Sequence, residues 1–80
     1  MMYKTITEEQ LEEIEDALGC FDKGAAFSLL KKYTGIEARP YTAYVFYDEA
    51  DNWVGDSDNY TIRDLIYNAY IKVVEKGGEE

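Results

Sequence analysis

Apolar positions first recur at helical spacing at Leu11, Ile14 and Leu18, with Ala17 beside them, and nearly every residue off that narrow stripe is acidic. Thr7 with Gln10 three positions later is a capping box, and Ile6 with Leu11 supplies a hydrophobic staple, so the pattern predicts a helix beginning here. Gly19 is its expected stop. Asp22 is the next candidate N-cap, followed by a second stripe of Ala26, Phe27, Leu30 and Tyr33. Lys31 and Lys32 fall in the last turn of that helix, where cations complement the helix dipole. Gly35 stops it, and Ile36 is placed to fold back in a Schellman-type contact. The link Gly19–Phe21 makes the pair a helical hairpin.

Beyond Pro40 the period changes. Residues 41–47 are aromatic and β-branched and contain no glycine, which predicts a strand, with Tyr41, Ala43, Val45 and Tyr47 on one face and Thr42, Tyr44 and Phe46 on the other. Both faces are largely apolar, so cover on both sides is expected. Residues 48–52 have turn chemistry, Trp53-Val54 opens a short return strand, and residues 55–59 form a second loop. Thr61 and Asp64 then repeat the capping-box signal, with Tyr60 and Leu65 as staple. Ile62, Leu65, Ile66, Ala69 and Val73 form the stripe of a third helix, widened by Tyr67, Tyr70, Ile71 and Val74 and ended by Gly77-Gly78, with residues 77–80 as a frayed tail. The expected fold is one small α+β domain over residues 1–80, in the order α-α-β-β-α, a two-stranded antiparallel hairpin packed on three helices. A hairpin of that size needs the helices for its stability.

Length and composition sharpen this picture. An 80-residue domain buries only about 60% of its unfolded surface, so its stability is marginal. Twelve aromatics (eight Tyr, three Phe and Trp53) argue for a folded core, since acid-rich disordered chains lack them. Cys20 stands alone, which rules out an intrachain disulfide and suits a reducing compartment, with a small buried thiol the simplest expectation for it. No apolar run approaches a membrane span, and the N-terminus lacks a basic-then-apolar signal pattern. A cytoplasmic protein is expected, in the host cell's cytoplasm if the chain is phage-encoded.

Several chemistries lose their footing. With no His and one Cys, zinc and haem sites lack their usual donors, and no P-loop or dinucleotide fingerprint occurs, so no cofactor is expected. An EF-hand loop begun at Asp48 puts Ala50 at its third position, and one begun at Asp56 puts Tyr60, Thr61 and Tyr67 at its fifth, sixth and twelfth. Both fail, leaving at most weak divalent binding by Asp56 and Asp58 and no expected metal site. Carboxylate pairs on an exposed helix and in turns gain little pKa shift, so no catalytic residue and no enzyme activity is expected. Lys31, Lys32 and Arg39 are the nearest approach to a basic footprint, too few for direct nucleic-acid binding.

Charge supplies the one positive signal. The net charge is −9, and most of the seventeen acids fall in two blocks free of Lys and Arg: Glu8, Glu9, Glu12, Glu13, Glu15 and Asp16, then Asp48, Glu49, Asp51, Asp56 and Asp58. Glu8 and Glu9 suit the helix N-terminus, but Glu8/Glu12, Glu9/Glu13 and Glu12/Asp16 are like-charge i,i+4 pairs, each costing roughly 0.2–0.5 kcal/mol. Glu15 and Asp16 also oppose the dipole at the far end. No compensating cation lies nearby in sequence. These acids, with Trp53 as an aromatic anchor, form the candidate partner-binding surface. Carboxylates one turn apart, about 5–6 Å at Cβ, loosely match phosphate spacing and can engage a groove built for nucleic acid.

In size, charge and single-domain build, the whole chain resembles the small acidic proteins by which phages and mobile elements disarm host defence nucleases, including anti-CRISPR proteins and anti-restriction DNA mimics. It shares no motif with them, so no residue role is carried over. The resemblance implies a non-catalytic inhibitor, acting as a monomer or small homo-oligomer, that occupies the basic nucleic-acid-binding groove of a nuclease or effector complex. The rival expectation is a generic acidic interaction module, such as an antitoxin or an accessory subunit.

Overall fold

A computed structural model describes residues 4–75. The element order is β1 (Thr5–Thr7), α1 (Glu8–Gly19), α2 (Lys23–Thr34), β2 (Glu37–Pro40), β3 (Tyr44–Tyr47), β4 (Trp53–Asp56), α3 (Ile62–Asn68) and β5 (Lys72–Val74). The α+β class holds, but the expected α-α-β-β-α order with a two-stranded hairpin does not. The hairpin β3–β4 gains a third antiparallel strand, β2, and a separate parallel pair joins β1 to β5.

The starts of the helices follow local chemistry. Thr7 and Gln10 exchange both hydrogen bonds of a capping box, Thr61 and Asp64 do the same, and the Asp22 carboxylate accepts from the Ala25 amide. Their ends depart in part: Gly35 stops α2 as expected, while α1 and α3 close on residues other than glycine. α1 ends at Gly19 with Cys20 as its cap, but the left-handed residue that closes it is Phe21, φ 61°. The Phe21 amide donates to Leu18 O and the Asp22 amide to Ala17 O, which together make a Schellman motif. α3 stops in the same way at Tyr70, φ 61°: Tyr70 N–H donates to Tyr67 O and Ile71 N–H to Ile66 O. Gly35, φ 81°, ends α2 with a single bond from its amide to Lys31 O, the simpler left-handed cap. The Ile36 amide is diverted to the Thr34 hydroxyl, so no Schellman motif forms there.

The third helix is therefore about half its expected length. Residues 72–74, read as its continuation, are extended and pair with β1 in the register Thr5↔Lys72, Ile6↔Val73, Thr7↔Val74. The expected glycine stop at residues 77–78 and the tail 77–80 lie outside the described residues. Two further corrections concern the sheet. Residues 41–43 form the β2–β3 turn rather than the start of a strand, and Gly55 and Asp56 belong to β4 rather than to a loop.

One core collects Ile6 and Ile71 with Leu11 and Ile14 of α1, Ala26 and Leu30 of α2, Phe46 and Val54 of the sheet, and Ile62, Leu65 and Ile66 of α3. The staple pair Ile6 and Leu11 is fully buried. Phe46 faces inward, while Val45 and Tyr47 on the other face are only half-buried, so β3 is not covered equally on both sides. Cys20 is exposed at the α1–α2 turn, contrary to the expected buried thiol, because the Schellman turn lifts residues 20–22 off the core.

Candidate functional site

The helix block of acids divides by face. Glu8 and Glu15, two turns apart, both point toward α3 and share Arg63, at 3.4 Å from Nη2 and 3.2 Å from Nε. Glu13 accepts a 2.7 Å hydrogen bond from the Tyr33 hydroxyl of α2. Glu9, Glu12, Glu13 and Asp16 are exposed on the outer side of α1. Among the described residues, the Glu12 and Asp16 side chains have neither a hydrogen bond nor an ion pair.

The compensation that the local sequence lacks thus arrives partly through the tertiary fold. Its signal in the sequence was Arg63 itself, a cation in the first turn of a helix, where the dipole disfavours it. Glu8's hydrogen bond, followed by the charge of Glu15, raises the Arg63 pKa above its ordinary value, against the effect of burial. The Glu13 hydrogen bond, followed by partial burial and the Glu13 charge, raises that of Tyr33.

The loop block is split between the two ends of the β3–β4 hairpin. At one end Asp48 Oδ1 accepts from the Ala50 and Asn52 amides, fixing the turn, while Asp51 adopts φ 69°. Glu49 pairs with Lys4 at 2.9 Å, and Asp51 pairs with Arg39. Arg39 also pairs with Glu37 and stacks over the Tyr47 ring at 4.0 Å, and its pKa is raised chiefly by the Asp51 hydrogen bond. At the other end Asp56 Oδ1 accepts from the amides of Asp58 and Asn59 and from the Asn59 side chain. Asp48 and Asp56 are therefore turn-builders, and Glu49 and Asp51 are ion-paired. Asp58 is exposed, and its carboxylate has no partner among the described residues.

Trp53 is 51% exposed and meets Tyr60 edge-on, with ring centroids 5.6 Å apart. Tyr60 is also a wall of a cleft of about 490 Å³ between the end of α1, the start of α2, β3 and the β4–α3 connection. Glu15 and Asp58 both line this cleft. One acid from each block is thus brought to a single place, while Asp48, Glu49 and Asp51 lie at the far end of the hairpin. The cleft's aromatic side was not expected from the sequence. Phe27 packs on Tyr44 at 4.8 Å and on Phe46 at 5.5 Å, and Lys23 Nζ lies 5.5 Å above the Tyr44 ring. Lys23, like Arg63, is a cation at the wrong end of its helix.

No group of three or more His, Cys, Asp or Glu side chains able to hold a metal ion converges among the described residues. No helix among them is long and apolar enough to cross a membrane. Comparison with models of protein families, with curated proteins and with solved structures returns no match.

Proposed function

We propose that the chain is a non-catalytic, protein-binding inhibitor whose acidic surface occupies the basic nucleic-acid-binding groove of a defence nuclease or related effector. The observation carrying this reading is the outer side of α1, where Glu12 and Asp16 repeat one helical turn apart without a cation on either. The fold supplies Arg63 to the inward acids of the same helix and leaves these outward ones unmatched. A domain with so small a core carries that repulsion at a cost in stability, which an approaching basic groove would relieve. Charge of this kind accelerates encounter and fixes orientation, while buried aromatics hold the complex.

Affinity capture from a host lysate, with mass spectrometry, tests this when run at low and high salt and with competing DNA or RNA. The expected partner is a nucleic-acid-binding protein that is released by salt and by nucleic acid, and that is captured weakly by Glu12→Gln/Asp16→Asn. Capture indifferent to salt, to nucleic acid and to those substitutions would refute the reading. Asp51 and Asp56 are poor choices for such a series, because their loss would disturb Arg39 and the 56–59 turn.

A second reading, an interaction module held chiefly by apolar contact, is favoured by Phe21, which is 95% exposed, and by exposed Tyr41, Tyr67 and Tyr70. Salt separates the two, since an apolar interface loses little affinity as ionic strength rises.

A further inference from the structure

We propose that the cleft between α1, α2, β3 and the β4–α3 connection is the docking site for an arginine side chain presented by the basic partner. The inference rests on the proposed function and names the place where its partner is gripped.

Part of the cleft's lining is apolar, from Phe46, Ile62 and Leu65 of the buried core. That surface suits a methylene stem. The lining also includes Asp58, whose carboxylate is free of any partner among the described residues, and Glu15, already engaged by Arg63. Tyr44 offers a ring face that already receives a cation, Lys23 Nζ at 5.5 Å. A compact ammonium at that distance is a loose contact, whereas a planar guanidinium can lie on the ring and meet a carboxylate with two N–H groups.

The chain builds this arrangement once for itself. On the opposite face of the same strand, Arg39 lies 4.0 Å above the Tyr47 ring while pairing with Asp51. In the cleft a ring with a cation over it, Tyr44 with Lys23, and a residue with an unpaired carboxylate, Asp58, line the same space, and Lys23 makes no ion pair there among the described residues. Lys23 is then a competitor, an internal cation that an incoming arginine displaces.

The test is an amide-resolved NMR titration of the full chain with N-acetyl-arginine methylamide, beside the lysine and norleucine analogues. The arginine probe is expected to bind tightest and to shift resonances of Phe27, Tyr44 and residues 57–61. Asp58→Asn should weaken it about two- to fivefold, the range of a single exposed ion pair. Lys23→Ala should tighten it by a similar factor, a sign that a merely structural lysine would not produce. Both residues are exposed, and a thermal melt checks that each variant remains folded.

Equal binding of norleucine, shifts confined to the outer side of α1, or weaker binding by Lys23→Ala would each overturn the proposal. The two readings fail separately. If arginine misses the cleft while capture stays sensitive to Glu12 and Asp16, the decoy stands without the cleft. If arginine seats but capture ignores nucleic acid, the cleft stands without the groove.

Discussion

At the scale of single residues, Gly55 shows how closely β4 approaches α3. With φ 154° and buried, it leaves room for no side chain: a Cβ there would lie 2.6 Å from Leu65 Cδ2 and 2.8 Å from Tyr60 Cγ. Gly55→Ala is expected to destabilise by about 1–3 kcal/mol, as overpacking of a filled site does, and the urea midpoint measures it. Tyr33 makes a prediction in pH. Its folded-state pKa is raised above 10.0 by Glu13, so the fold favours the neutral hydroxyl. That contribution is complete below 10.0 and is lost as pH climbs through the raised value. Spectroscopic titration should show a tyrosine ionising above 10.0 that disappears in Tyr33→Phe, and this variant should lose less stability over the same alkaline range. Neither residue could be interpreted from its sequence neighbours. The contact of Gly55 with Leu65 and that of Tyr33 with Glu13 both join separate elements.

At the scale of elements, the starts of the helices and the stop of α2 at Gly35 were legible, while the closures of α1 and α3 were not, for one reason. A capping box lies within four consecutive residues and depends on side chains that announce it, as Thr7 to Gln10 and Thr61 to Asp64 do. A Schellman motif needs only a left-handed residue, and here Phe21 and Tyr70 take a conformation in which glycine is expected. Left-handed geometry costs a residue with a Cβ roughly 1–2 kcal/mol. Phe21 is almost wholly exposed, so its ring returns little of that to the fold. Phe21→Gly is therefore expected to stabilise the domain by about 1 kcal/mol, seen as a higher melting temperature, while weakening any partner that uses the ring. The failure at residues 72–74 has the same root. Ile71, Val73 and Val74 fit a helical stripe by position, yet β-branched residues fit a strand equally well, and the open edge of β1 decided between them. β2 escaped notice because Glu37-Ala-Arg-Pro40 has no strand propensity of its own and forms by pairing with β3.

At the scale of the whole molecule, charge is the organising quantity. With a net charge of −9, self-repulsion opposes compaction, and added salt screens it. Thermal stability should therefore rise with sodium chloride from low to physiological concentration. Arg63→Met removes the cation shared by Glu8 and Glu15, and its loss of melting temperature should be largest at low salt and shrink as salt is added. A deficit that does not change with salt would show that Arg63 acts through packing instead.

Local pattern and composition were enough for the α+β class, the helix starts, most of the core residues and the sign and density of the surface charge. Each of these is set by neighbours within a few positions or by composition alone. Tertiary structure decided which acids are answered and which are not. Arg63 meets Glu15 across 48 residues, and Arg39 meets Asp51 across 12, by routes no local pattern encodes. It also split the second acidic block between two ends of a hairpin and placed Asp58 and Glu15 in the lining of one cleft. Charge is additive along a chain and can be counted, but pairing depends on distance in space, which only the fold supplies.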